Sequence, residues 1–224
     1  MELKPGKNTL TNINTYEMWN YSTSISNDYN LTNQSRIITN MEWGAIAYFS
    51  FSKYAKINNI NYSGSSKKLF FNNAMGDDSW NNLTTGCSSG TISGGGSKTC
   101  LYSYDIDYYG SGASSTGNIY GIYDLSGGSW ECVMSIVSNN QVKKNIGGYS
   151  GDLPSDTRYY TLYSPSNDMF DYSRGIIGDA TIETRSKTLV NKSWQGNLAY
   201  FATSSFPWVK RGGTFRGGKL FRII

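Results

Sequence analysis

The chain has 224 residues, 38% hydrophobic, 15% aromatic and 16% charged, enough to build a core, which excludes wholesale disorder and favours one large domain. Histidine is absent, which excludes the Ser-His-Asp and Cys-His nucleophile arrangements, His-rich zinc or iron sites and the commonest general base. The net charge of +4 is mild and thinly spread, a poor footprint for a nucleic-acid binder.

The chain begins MELKPGKNTL, without the apolar stretch of a secretory leader. No apolar run approaches the roughly 18 residues of a membrane span. Residues 1–35 are polar and rich in Asn, with apolar side chains at Tyr16, Met18, Trp19 and Tyr21. They read as an edge strand or a short helix docked on the body. Thr39-Asn40-Met41-Glu42 is a capping box, in which the Thr hydroxyl and the Glu carboxylate satisfy each other's end donors. Apolar residues follow at helical spacing, predicting a helix from Asn40 to Lys53.

Residues 55–115 read as a long loop dominated by Asn, Gly and Ser. Cys87 and Cys100 bracket its flexible part, CSSGTISGGGSKTC. A disulfide between them would contribute about 3 kcal/mol and would indicate an oxidising compartment. Cys132 reads as a small buried hydrophobe. The acidic pairs Asp77-Asp78 and Asp105/Asp107 read as solvated loop charges.

From 116 to 137, aromatic and β-branched residues alternate with turn residues, predicting short strands around a Ser126-Gly127-Gly128 turn. A strand is expected at Arg158–Tyr163 and a short helix near Asp179–Lys187. Further strands are expected at Ala199–Ala202, Pro207–Val209, Thr214-Phe215 and Leu220–Ile224. The tail KRGGTFRGGKLFR has the look of an RNA-binding Arg-Gly-Gly segment. Its alternating apolar pattern instead suits two strands and a turn. Trp43 and Trp130 are assigned to the core. Trp80, Trp194, Tyr108-Tyr109 and Tyr159-Tyr160 fall in polar loops, whose Tyr, Ser, Gly and Asn content is that of adaptable binding surfaces.

Three segments together carry a resemblance. Asn118–Glu131 reads NIYGIYDLSGGSWE and resembles the N-x-Y/F-G-L-Y-D-M-x-G-N-x-W-E-W motif of formylglycine-generating-enzyme-type domains. Met41–Tyr48 resembles an E-W-x-x-A-Y helix of the same group, and Phe206–Gly213 followed by Phe221-Arg222 resembles its closing R-G-G…F-R strands. The resemblance implies a C-type-lectin-like α+β fold: a small twisted antiparallel sheet, one or two helices and long irregular loops. It divides the chain into a docking segment at 1–35 and the domain at 36–224.

The resemblance also implies a Ca²⁺ site, with side chains from Asp124 and Glu131 and carbonyls from Gly127 and Ser129, the hard-oxygen set that calcium prefers. The alternative is a glycine turn in which Glu131 caps backbone donors without metal. The group's copper thiolates near the C-terminus have no counterpart, since no cysteine follows Cys132, and the iron ligands of its sulfoxide-synthase branch would be histidines. No catalysis is therefore expected. Variable proteins of diversity-generating retroelements share the fold and bind ligands between the two closing strands. That assigns ligand contacts to Trp208, Arg211, Thr214, Phe215, Arg216 and Lys219, although Thr214–Leu220 spans only seven residues here.

The function expected from these readings is a non-catalytic, adhesin-like module that binds a protein or glycan on a cell or virion surface. The alternative is a structural subunit, such as a phage decoration or pilus-associated protein that assembles with copies of itself. Membrane insertion and nucleic-acid partners are not expected.

Overall fold

The computed structural model describes residues 6–10, 13–51, 85–88, 102–104, 114, 119–125, 129–137, 153–181 and 201–212. Its elements in chain order are α1 (Thr15–Asp28), α2 (Asn40–Phe51), β1 (Cys87–Ser88), β2 (Tyr102–Ser103), β3 (Glu131–Val137), β4 (Thr161–Tyr163) and β5 (Trp208–Arg211). The architecture is α+β, and no described helix is long and apolar enough to cross a membrane.

Of the two structures open to residues 1–35, the helix forms. Asn14 caps α1, accepting from the Glu17 amide at 2.9 Å, while Glu17 Oε2 accepts from the Asn14 amide at 2.8 Å. This is a second capping box, written in Asn14-x-x-Glu17. At the other end Asn30 adopts φ 51°, and the Leu31 amide donates to the Ser26 carbonyl at 2.8 Å. That geometry closes the last turn as a Schellman motif, with Asn in the left-handed position. Helix α2 starts where the sequence predicts: Thr39 N–H donates to Glu42 Oε2 at 2.8 Å and Glu42 N–H to Thr39 Oγ1 at 3.2 Å. Arg36 fixes the same carboxylate, with nitrogen–oxygen distances of 2.8 and 2.6 Å.

The principal sheet has the order β4-β3-β5. The expected sheet was antiparallel, whereas this one is mixed. β3 pairs antiparallel with β5 (Glu131 opposite Arg211, Cys132 opposite Lys210) but parallel with β4 (Ser135 opposite Thr161). β3 is buried from Val133 to Val137, and its alternate side chains point into two separate clusters. Val133 and Val137 join Trp43 and Ala47 of α2, together with Leu125, Tyr163, Phe201 and Val209. Met134 and Ile136 join Trp208, with Tyr16 and Trp19 of α1 packed against them. The two helices thus cover opposite faces of one sheet. Each fully buried Val, Leu or Ile contributes about 1.5–3 kcal/mol relative to exposure. The α1 layer is therefore part of the core.

Other expectations fail locally for visible reasons. The strand predicted at Arg158–Tyr163 is shortened to Thr161–Tyr163, because Asp156 caps a 3-10 turn over Thr157–Tyr159 by accepting from the Arg158 amide at 2.9 Å. Phe201 and Ala202 are buried but do not form a strand; the Phe201 amide donates to the Met169 carbonyl in an irregular stretch. Of the helix expected near Asp179–Lys187 only Asp179–Thr181 is described, and these residues form a bend. The Asp179 carboxylate accepts from the amides of Ile176 and Thr181 at 2.9 and 2.7 Å, pulling the chain back on itself. Residues 182–200 and 213–224 lie outside the described residues, and with them the strands expected at Thr214-Phe215 and Leu220–Ile224.

Candidate functional site

Three features converge on the sheet. The first is a buried polar network under α2. The Asn40 amide nitrogen donates to Tyr163 Oη at 2.6 Å and to Thr181 Oγ1 at 3.2 Å. The Tyr163 hydroxyl donates to Asp179 Oδ2 at 2.6 Å. Arg211, 1% exposed, donates to the Ala180 carbonyl at 3.1 Å and to Thr181 Oγ1 at 3.3 Å, and its guanidinium lies 3.9 Å from the centre of the Trp43 ring. A buried charge needs such partners. Burial and the Asp179 charge raise the Tyr163 pKa, so that hydroxyl stays protonated. Arg211 was expected to meet a ligand; it is instead sealed in the core, where it holds the Ala180 turn.

The second feature lies at the start of β3. The Glu131 carboxyl packs directly on the backbone of Gly212, which has φ 83° and whose missing Cβ would stand 1.6 Å from Glu131 Oε2. Only glycine fits there. Glu131 Oε2 is buried and has no hydrogen-bond partner. Burial pushes the Glu131 carboxyl well above the usual carboxylate range; its own backbone amide and Arg211 oppose the shift, and the charge of Asp124 adds to it.

Asp124 itself sits in the left-handed region, at φ 64°. Both of its oxygens accept from the Gly86 amide, at 3.0 and 2.9 Å. A buried carboxylate oxygen without a hydrogen-bond partner is an atom that a cation or a proton would relieve. The expected calcium ligands Asp124 and Glu131 are thus both described, each with its own surroundings. Among the described residues no group of three or more acidic, Cys or His side chains could hold a metal. The two carboxylates would thus need carbonyl partners, the role expected of Ser129 and Gly127. Ser129 is partly buried between them in sequence, and Gly127 lies outside the described residues.

The third feature is an open cleft of about 340 Å³. One side is formed by Ile13, Thr15 and Met18 at the start of α1, the other by Cys132, Trp208 and Lys210 of the sheet, and the turn Ser205-Phe206-Pro207 closes the end. Its cause is geometric. α1 packs Tyr16 and Trp19 over Met134 and Ile136, and the sheet face next to its first turn, at Cys132 and Lys210, is left open. Phe206 is 67% exposed at this cleft, whereas Trp208 is 5% exposed and contributes one of its walls. The Lys210 ammonium lies 5.1 Å from the centre of the Trp130 ring, a cation–π arrangement that covers the indole.

Cys87 is disulfide-bonded and Cys132 is a free thiol. Cys132 is partly buried rather than wholly in the core, and burial raises its pKa. Trp43 is buried, as expected, while Trp130 is only partly so. Of the tyrosine pair at 159–160, Tyr159 lies under the Arg36 guanidinium at 4.9 Å and Tyr160 packs against the α1-side cluster, so both serve the scaffold. Cys100, Thr214, Phe215, Arg216 and Lys219 lie outside the described residues, as do Trp80, Trp194, Tyr108-Tyr109 and the acidic pairs at 77–78 and 105–107.

Of the two expected ligand contacts among the described residues, Trp208 meets the cleft and Arg211 does not. Phe206, Met18 and Lys210 were not nominated. Phe206 had one signal, an aromatic held immediately before Pro207 in a tail otherwise read as strand. The chain matches no family model, no curated protein and no solved structure.

Proposed function

We propose that the protein is a non-catalytic binding module of C-type-lectin-like fold that works at a cell or virion surface and takes a glycan in the cleft between α1 and β5. The observation that carries the reading is the cleft: aromatic and aliphatic walls from Phe206, Trp208, Met18 and Pro207, with the exposed hydroxyl residue Ser205 at its end. Such a mixture suits a sugar ring, which has an apolar face and a polar edge, and ligand sites generally combine apolar walls with a few polar groups. A rigid sheet covered by helices on both faces is a scaffold that can hold this surface without rearrangement. The disulfide at Cys87 accords with an oxidising, extracellular setting. Ca²⁺ held by Asp124 and Glu131, with carbonyls of Gly127 and Ser129, would fix the segment that leads into β3.

The test is a glycan array and intact bacterial envelopes probed with labelled protein, wild type against Phe206→Ala. Phe206 is mostly exposed, so its truncation leaves folding intact, and loss of an aromatic contact at the cleft weakens binding about tenfold. Equal binding by the two proteins, or binding to envelope protein after the glycans are removed, overturns the glycan reading. A folded protein that binds no surface but forms a stable oligomer in light scattering establishes the structural-subunit alternative instead.

A further inference from the structure

We infer that the glycan taken in the cleft carries a carboxylate, and that the Lys210 ammonium is its charge partner. The inference rests on the glycan reading above and names the class of sugar that the site prefers.

The charge of the cleft follows from the alternation of side chains along β5. Val209 joins the cluster under α2 and Arg211 is sealed on the same side, whereas Trp208 and Lys210 line the cleft on the other face. Cys132 stands opposite Lys210 in the ladder and lines the same wall. Among the described residues no Asp or Glu lines the cleft, and Lys210 is its charged member.

The carboxylates nearest along the chain are engaged elsewhere. Glu17, next to Met18, accepts from the Asn14 amide at 2.8 Å in the α1 cap. Glu131, next to Cys132, belongs to the opposite face of β3 and packs on Gly212. Among the described residues no carboxylate forms an ion pair with Lys210. Its ammonium rests instead 5.1 Å from the centre of the Trp130 ring. A ring face holds a cation in place without cancelling its charge, and the ammonium keeps N–H donors for a ligand. The apolar walls beside it, Trp208 and Phe206, strengthen its attraction for an anion that displaces water.

One ammonium balances one unit of negative charge. A carboxylate carries that much, while a phosphate monoester carries about −1.5 to −2 at pH 7, which a single lysine leaves unbalanced. Phe206, 67% exposed at the end of the cleft, offers its ring to the apolar face of the sugar. Uronic and sialic acids place such a face and a carboxylate on one residue.

The test compares paired sugars on the wild-type protein: galacturonate oligomers against galactose oligomers, and sialyllactose against lactose, with a sulfated galactose as a further arm. In each pair the acidic sugar should bind about tenfold tighter, and the advantage should shrink as NaCl rises from about 50 to about 500 mM, because salt screens the pair. Lys210→Gln should lose the advantage and Lys210→Arg should keep it, with circular dichroism following the fold of both. The comparison of paired sugars needs no variant, so it stands even where position 210 tolerates no change. Equal binding of acidic and neutral partners, an advantage that survives in Lys210→Gln, or sulfated galactose bound as tightly as galacturonate overturns the carboxylate assignment and leaves the glycan reading in place. A folded protein that binds no sugar, acidic or neutral, overturns both.

Discussion

Gly44 lies on α2 where that helix crosses the turn at 178–179. A Cβ built there would stand 2.3 Å from the Gly178 carbonyl oxygen and 2.6–2.7 Å from backbone atoms of Asp179. Backbone cannot swing aside as a side-chain tip can, so the contact admits only hydrogen. The turn beneath is rigid: Ala180 sits at φ 57°, fastened by the Asp179 carboxylate and by Arg211. Gly44→Ala should therefore destabilise the fold by about 1–3 kcal/mol, the usual cost of overpacking, despite the better helix propensity of alanine. Urea unfolding of the two proteins measures this, and a variant as stable as wild type would show that the turn yields. The sequence offered no hint of the constraint. Gly44 was visible only as a residue inside a helical pattern, because what it packs against comes from a segment more than a hundred residues later. The same holds for Gly212 and Glu131: the motif nominated Glu131, but only the paired strands show that its carboxyl lies on a glycine, with Oε2 buried and lacking a hydrogen-bond partner.

Among the elements, the helices were legible in proportion to the locality of their signals. α2 begins at its capping box because Thr39 and Glu42 are three residues apart and need nothing else to find one another. α1 carries the same kind of signal at Asn14 and Glu17, but its Ser- and Asn-rich body obscured it. The parallel pairing of β3 with β4 was not legible, since strand direction depends on a connection whose path is not written in local residue pattern.

The α2 cap also carries a pH dependence. Arg36, and to a lesser degree Thr39, hold the Glu42 carboxyl at about 2, against an ordinary value of 4.5. A carboxyl depressed in the folded state contributes its full stability above about 4.5 and loses it as the pH falls toward 2. Arg36 is itself flanked by Tyr159 and Asp156, so the pair is a small surface network. With the Glu42 side chain 43% exposed, solvent screening limits the contribution to about 0.5–1 kcal/mol. Thermal melts of wild type and Glu42→Gln should differ by this amount at pH 6 and converge by pH 2. A constant difference across that range would place the effect in packing rather than in charge.

At the scale of the whole molecule, the fold is a sheet with a helix on each face, and the candidate sites are where that layering is incomplete. The cleft lies at the edge of α1's cover, and the buried Glu131 carboxyl lies where the central strand begins. Cys132 belongs to the first place: it is on the α1 side of β3, opposite Lys210, and lines the cleft. Its neighbours shape its chemistry. Burial raises its pKa and Glu131 adds to the rise, while Lys210 opposes it. The neutral thiol therefore dominates at pH 7, and a thiol in that state is a slow nucleophile. Cys87, by contrast, is locked in a disulfide.

Oxidised protein denatured without reductant should give one titratable thiol per chain. The native protein should give the same single thiol, reacting at least tenfold more slowly than free cysteine at pH 7 and faster as the pH rises. Three thiols on denaturation would mean that the disulfide does not persist in solution, and the extracellular reading would lose its chemical support. A native thiol as fast as free cysteine would mean that the cleft opens further than the packing of α1 on the sheet allows. Slowing of that thiol by a bound glycan, without any change in the denatured count, would place the ligand in the cleft beside Cys132.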